Sequence, residues 1–299
     1  MDLPALANCV TSLSCIVTQS TSGLIIGMLL FLVAAGVSLI FGVLKVINFA
    51  HGSLYMLGAY FTLTVYGATD SFILAVLAAA IGVALFGLLF ERLIISRVYG
   101  SQVLMQLLVC YGVILILDDL VKLIWGPEFK SLGMPATFQK PPLLIGGGVV
   151  PIYYLFLIVL TLVIAVALGL AITRTRLGKI VRAVAVNPGM VSALGINTGY
   201  VYAGVFMLGG LLAGLAGALA APVRSIVSGM GLSVVVESFI VTVIGGMGSV
   251  AGALVGSLLI GLVRSFGTIG FPLFTEGLMF LLMAVVLVLK PSGLFGREG

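Results

Sequence analysis

The chain has 299 residues, of which 62% are apolar and only 8% charged, with a formal net charge of +5 and 40 glycines. A soluble domain carries about a quarter charged residues, so a chain this apolar needs lipid around most of its surface. That excludes a soluble enzyme and leaves the positive charge no nucleic-acid meaning, because Lys and Arg in loops set membrane orientation.

The first 22 residues read as an N-terminal tail. Its sole charge is Asp2, so it lacks the basic start of a cleaved signal peptide. Cys9 and Cys15 leave two readings open: a disulfide if the tail is extracytoplasmic, or two free thiols. Residues 23–299 read as one transmembrane domain. Stretches of bilayer length run over Gly23–Val43, Ser53–Gly67, Ser71–Phe90, Val103–Ile124 and Ile152–Ile172. They continue over Tyr200–Ala221, Ser249–Phe266 and Pro272–Leu289. The fold class is therefore an all-α polytopic membrane protein with about eight transmembrane helices. Ser53–Gly67 is short and needs Val46–Gly52 to span. Val234–Ile244 is too short to cross and ends in Gly245, Gly246 and Gly248, so it reads as a re-entrant half-helix.

The loops give the orientation. Lys45, Arg92 and Arg97 fall on one side together with the basic stretch Thr173–Asn197, which makes that side cytoplasmic and the N-terminus external. Asp70 and the Pro- and Gly-rich loop Gly126–Pro151 fall outside. Three crossings after the basic stretch leave Lys290 and Arg297 outside, against the rule; a fourth crossing, or an extra N-terminal one, changes this, and the parity stays open. Asp118 and Lys122 form an i,i+4 pair, Glu91–Arg92 is a solvated turn or a partner contact, and Glu237 caps a helix start or contacts substrate. Arg224 and Glu237 bracket a loop that faces a partner, and Tyr99 and Trp125 are interfacial anchors.

The stretch 173–198 is the most informative. It holds Arg174, Arg176, Lys179 and Arg182, with no acidic residue between Glu128 and Glu237. Asn187 and Pro188 are a helix start: the Asn side chain caps free N–H groups and Pro has none to lose. Leu194–Gly195 is a helix stop. Two short helices joined at Asn187 form either an ordinary basic loop or a docking surface for a soluble partner.

Four motifs now converge. Thr175, Arg176, Gly178, Arg182, Ala183, Ala185, Pro188 and Leu194–Asn197 resemble the cytoplasmic coupling segment of branched-chain amino acid ABC permeases. Ile47–Gly52 (INFAHG), with Tyr55, Met56, Gly58, Ala59 and Tyr60 after it, resembles the signature of the LivH-type subunit. Val243–Ser249 with Gly252, Ala253, Gly256 and Gly261, and Pro291–Gly296, complete the match. The resemblance runs from Gly23 onward. It implies an importer subunit of the bacterial inner membrane with no cofactor of its own. It further implies a homologous permease partner, two cytoplasmic ATPases that bind ATP, and an extracytoplasmic substrate-binding protein. By the same resemblance Arg174, Arg176, Lys179, Arg182, Asn187, Pro188, Leu194 and Gly195 couple to an ATPase. The substrate implied is a branched-chain or other small apolar amino acid, or a related amide, urea or aromatic acid.

Two breaks suggest a pathway. Val46–Ser53 and Val243–Ser249 are each an apolar run, a polar or glycine break, then Gly-Ser opening a long helix, one on either side of the basic stretch. Paired broken segments point to a transport site built from repeats. Asn48, His51, Gly52, Gly245, Gly246, Gly248 and Ser249 are its candidate residues. The alternative for His51 is a structural bond to a freed carbonyl. The rival class, an ion-coupled transporter, requires an ionisable pair at membrane depth, and only His51 comes near one. No Walker-type nucleotide motif and no metal-ligand spacing is present.

Overall fold

A computed structural model describes residues 3–296; Asp2 and Arg297 lie outside the described residues. The chain is helical almost throughout, as a backbone in lipid must be to satisfy its own polar groups. The expected tail is itself helical. It forms α1 (Leu3–Thr11) and the first part of α2 (Leu13–Leu44), and a Cys9–Cys15 disulfide closes the turn between them. At 32 residues α2 is roughly 48 Å long, more than a bilayer core of about 30 Å needs.

α2 is the central helix. It is apolar on every side, and Leu30 to Ala35 are each at most 2% exposed, as expected for a helix surrounded by others. Then follow α3 (His51–Thr69), α4 (Phe72–Leu93), α5 (Val103–Trp125) and α6 (Ile152–Arg174). The short α7 (Arg176–Val186) and α8 (Pro188–Ala193) lead into α9 (Thr198–Ala220). The chain closes with α10 (Met230–Gly245), α11 (Val250–Gly270) and α12 (Thr275–Leu289). Six helical segments are long and apolar enough to cross a membrane by length and composition: Leu13–Leu44, Phe72–Val98, Ile152–Arg174, Thr198–Ala220, Val250–Gly270 and Pro272–Leu289. Outward faces carry apolar stripes; on α4 these are Ile73, Leu77, Ile81, Leu85 and Leu89, each more than half exposed. Their four-residue spacing is one helix face.

Small residues set the packing, as is usual between helices in lipid. α11 runs antiparallel to α2, with Gly23 against Gly261, Gly27 against Ser257, and Gly42 against Gly248. Ser265 donates its hydroxyl to the Gln19 carbonyl at 2.7 Å near the far end. α9 lies between α4, α3 and α2, and Tyr153 at the start of α6 donates to the Leu219 carbonyl at 2.8 Å. These contacts define two ends of the molecule. The basic end gathers the C-termini of α2, α4 and α6 and the starts of α9 and α11. The opposite end holds the start of α2, the end of α9 and the end of α11.

Several local expectations change. Val46–Ala50 is not helical, so α3 begins at His51 and the segment before it does not extend the span. α10 is longer than Val234–Ile244. It begins beside Gly52 and ends beside the Gly42 level of α2, so it returns the chain to the basic end. The last segment, Pro291–Gly296, also lies there, since Phe295 and Gly296 border the same cavity as Arg182. Lys290, at the end of α12, donates to the Leu294 carbonyl of that segment and so lies at the basic end as well. The Gly126–Pro151 loop carries a hairpin, β1 (Leu143–Ile145) with β2 (Gly148–Val150), joined by Gly146 and Gly147, both at positive φ. Paired positive φ angles are what a tight hairpin turn requires. The hairpin rests on Leu13, Ser14 and Val17 of α2.

Candidate functional site

The basic stretch folds as its capping residues dictate. Thr175 caps α7 by accepting from the Gly178 N–H at 3.0 Å, and Asn187 caps α8 by accepting from the Met190 N–H at 2.9 Å. Pro188 is the first residue of α8, Gly195 turns the chain at φ 82°, and Asn197 caps α9. α7 turns its buried face, Gly178 and Val184, toward the molecule. Gly178 sits so close to the carbonyls of Ala171 and Ile172 that any side chain would collide with backbone. Arg182 reaches back to the Thr173 carbonyl at 3.3 Å, a second tie across the elbow. The outward face mixes Arg174, Arg176 and Lys179 with bare apolar side chains. Leu177, Val186, Met190 and Leu194 are 75%, 83%, 64% and 72% exposed. A purely solvated loop would not present so many.

The first break lies deep in the fold. α2 ends in Lys45 at positive φ, the chain runs extended, and α3 starts at His51. Asn48 is 3% and His51 0% exposed. Asn48 Oδ1 accepts a weak bond from the Cys110 thiol at 3.7 Å, while Asn48 Nδ2 and both His51 ring nitrogens have no hydrogen-bond partner among the described residues. The His51 ring packs against Gly36 of α2. Phe49 stacks on Phe239 of α10 at 5.2 Å.

The second break joins α10 to α11. Gly246 and Gly248 hold φ angles of 97° and 90°, and Ser249 caps α11 by accepting from the Gly252 N–H at 3.0 Å. The Gly248 N–H donates to the Ser38 hydroxyl of α2 at 3.1 Å. The carbonyls freed at the end of α10 are met by the C-terminal motif. Leu294 donates to the Ile244 carbonyl at 2.8 Å and Phe295 to the Gly245 carbonyl at 2.9 Å. Two motifs that are far apart in sequence thus form one capped helix end, a link the sequence alone does not display.

A cavity of about 630 Å³ brings part of this together. Arg182, Val181 and Ala185 of α7 border it along with Gly248 and Ser249 of the second break and Lys45. Asn48, His51, Gly52, Gly245 and Gly246 do not line it; they lie in the packed interior beside α10. So the structure joins the basic stretch to the second break and leaves the first break apart. A second cavity, of about 530 Å³, opens beside Ser22–Leu29 of α2, away from the basic end. It is lined by Ser22, Ile25, Ile26 and Leu29, one helical face of α2, and by two arginines, Arg224 and Arg264.

The charges are where the sequence misleads. Glu237 does not cap α10; it lies mid-helix, 8% exposed, and pairs with Arg264 of α11. That is an ionisable pair within the helical body, so His51 is not alone at depth. Arg264, a single arginine inside an apolar helix, is the sequence signal for this pair. Lys122 pairs with Asp119 at 3.0 Å and not with Asp118. Glu91 is 1% exposed and not a solvated turn: it accepts from the Tyr99 hydroxyl at 2.6 Å, with Arg92 at 3.7 Å. Arg92 in turn lies over the Tyr200 ring at 5.1 Å. Trp125 donates to Thr64 at 2.8 Å. Among the described residues no group of His, Cys, Asp and Glu is arranged to hold a metal ion.

Comparison with known proteins follows the same lines. Residues 20–288 match the model of a family described as branched-chain amino acid transport system, permease component. The chain is 32% identical over 292 residues to the high-affinity branched-chain amino acid transport system permease protein BraD of Pseudomonas aeruginosa, covering 93% of this chain and 95% of that protein. It is 28% identical to the corresponding LivH protein of Salmonella typhimurium, over 93% and 95% of the two chains. It is also 28% identical to a probable LivH permease of Methanocaldococcus jannaschii, over 90% and 89%. No solved structure matches the chain.

Proposed function

The chain belongs to the permease components of branched-chain amino acid transport systems, and from that membership we propose that it is one permease subunit of an ATP-driven importer. As a member of that family it is a multi-pass membrane transport subunit and not an enzyme. The finer proposal is that it pairs with a homologous permease in the bacterial cytoplasmic membrane, above two ATPases and below a substrate-binding protein. The substrate is a branched-chain or similar small apolar amino acid, in keeping with the relatives' names.

The observation that carries this reading is the α7–α8 elbow. Its outward face combines basic side chains with exposed Leu177, Val186, Met190 and Leu194. Its inner face is locked to α6 and borders the cavity that holds the second break. A partner gripping the outer face moves α7, and α7 moves the wall of that cavity. Alternating access follows when the ATPases close on nucleotide. The two cavities, one against Ser22–Leu29 and one against Phe31–Val43 of α2, are the two openings such a cycle needs. Asn48, His51, Gly52, Gly245, Gly246, Gly248 and Ser249 remain the candidate pathway residues. The first three act from behind α10, and the glycine break acts as the hinge.

The orientation places the elbow in the cytoplasm. Nine passages (α2 to α6, then α9 to α12) put the N-terminus outside and the C-terminus inside. Two features support this. Lys45, Arg92, Arg182 and Lys290 then share the cytoplasmic side, and the Cys9–Cys15 disulfide sits in an oxidising compartment. α12, with 15 residues, and α10, with 16, are the short members of the set, and α10 ends at its glycine break.

The test is co-purification. ATPase subunits should come down with the wild-type chain and be lost with the double charge reversal Arg176→Glu and Arg182→Glu. Uptake driven by an ion gradient with no ATPase present would refute the importer reading.

A further inference from the structure

We propose that the cavity between Arg224 and Arg264 is a carboxylate-binding site for the amino acid in transit, at the mouth opposite the coupling elbow. The proposal rests on the importer reading and names the substrate group that one part of the path recognises.

The charge count is the first ground. Two guanidinium groups line the cavity, and one carboxylate, Glu237, is paired with one of them, Arg264. Among the described residues no acidic side chain lies within ion-pair distance of Arg224. Tyr55, buried at 3% exposure, lies within electrostatic reach of all three charges. The cluster therefore keeps one positive charge that the chain itself does not neutralise. Such a charge is costly beside apolar helices and is best met by an anion. Arginine suits a carboxylate in particular, because its planar fork matches the two oxygens.

The cavity shape is the second ground. At about 530 Å³ it falls within the ordinary range for small-ligand sites. One wall is cationic. The other carries the aliphatic side chains of Ile25, Ile26 and Leu29 of α2 and of Val223, with Ser22, Tyr154 and Ser225 completing the lining. A ligand with a carboxylate at one end and a branched aliphatic group at the other fits both walls at once. An inorganic anion would leave the aliphatic wall unused, and a purely apolar ligand would leave Arg224 unmatched.

Position is the third. The lining comes from the first half of α2, the last third of α11 and the loop after α9. All lie at the end opposite α7, where a binding protein would release its cargo. Glu237 fixes Arg264 across α10 and α11, so the cationic wall is built on two helices that meet again at the glycine break. Movement of that break displaces the wall.

The experiment uses the assembled transporter in proteoliposomes with its binding protein, and Arg224→Gln and Arg224→Lys variants. The expected result is an uptake of L-leucine at least tenfold lower for Arg224→Gln, with most of it restored in Arg224→Lys, while Arg224→Gln still captures the binding protein. In detergent, radiolabelled L-leucine bound to the wild-type complex should be displaced by unlabelled leucine and not by L-leucinol, which lacks the carboxylate. Unchanged uptake in Arg224→Gln overturns the proposal. So does loss of binding-protein capture, which makes Arg224 a docking residue, or equal displacement by leucinol. A wild-type complex that shows no ATP-dependent uptake sinks the importer reading instead, and the leucinol competition then still decides the site.

Discussion

Gly246 and Gly293 lie backbone against backbone: a Cβ on Gly293 would stand 2.6 Å from the Cα of Gly246. Both residues hold positive φ, 97° and 78°. The C-terminal motif is thus seated on the second helix break, where Leu294 and Phe295 donate to the last carbonyls of α10. An α10 end without this seat would leave those carbonyls unpaired in an apolar setting, a cost of about 1–3 kcal/mol for each group.

Gly293→Ala should therefore destabilise the protein. The φ angle alone costs about 1–3 kcal/mol for a residue with a side chain, and the backbone clash adds to it. A lower thermal midpoint in detergent is the expected outcome. Gly277→Ala is the control, since Gly277 has open space around it. Equal midpoints for the two variants would mean that the C-terminal segment does not sit on α10.

Gly178→Ala should uncouple without unfolding. An added methyl group would meet the Ala171 and Ile172 carbonyls, so α7 must swing away from α6. The exposed face of α7–α8 is untouched, and ATPase subunits should still bind. Substrate uptake should fall at least tenfold while ATP hydrolysis persists, because the elbow no longer transmits motion. Gly112→Ala, which meets nothing within 4 Å and lines neither cavity, should transport normally. Uptake measured side by side for the two variants decides the matter.

How much of this was legible beforehand depended on distance along the chain. The α7–α8 pair was readable because its signals are local: Asn187 caps within three residues, Pro188 opens the helix, and Gly195 ends it. The helices of the bilayer were readable because apolar runs of that length have one stable form in lipid. Pairings between helices were not readable. Glu237 finds Arg264 only because α10 and α11 fold back on each other at Gly246–Ser249. Pro291–Gly296 could be recognised as a motif, yet its role depends on where α10 ends in space. Asp118 loses Lys122 to Asp119 because the two spacings, i,i+3 and i,i+4, are both within reach on a helix. Burial of Glu91 was hidden for the same reason: it needs Tyr99 to fold back over the end of α4.

Tyr99→Phe should expose the cost of that burial. Glu91 is 1% exposed; Tyr99 donates to its Oε1, and its Oε2 has no hydrogen-bond partner among the described residues. Removing the donor leaves a buried carboxylate with only Arg92 nearby, a loss of about 1–3 kcal/mol. The double variant Tyr99→Phe with Glu91→Gln should recover part of it, because a neutral amide costs less to bury than a charge. Thermal midpoints of the two variants and the wild type give the comparison. A double variant less stable than Tyr99→Phe alone would show that Glu91 is held by something other than this bond.

The sidedness follows from counting passages, and it separates two folds that share the same apolar runs. If α10 turns back without crossing, eight passages leave both termini on one side of the membrane. If α10 completes the return to the basic end, nine passages put them on opposite sides. The contacts favour nine: Gly248 reaches Ser38 and Gly42 near the end of α2, and Phe295 borders the cavity that Arg182 borders. Reporter fusions in intact cells test this directly. A reporter inserted between Gly146 and Gly147 of the hairpin should read outside, and one fused after Gly299 should read inside. Maleimide labelling from outside should reach Cys9 and Cys15 only after reduction of their disulfide, and should miss buried Cys110. A C-terminal reporter on the same side as the hairpin would restore the re-entrant form of α10. The C-terminal cap on Ile244 and Gly245 would then have to be a feature of the external face.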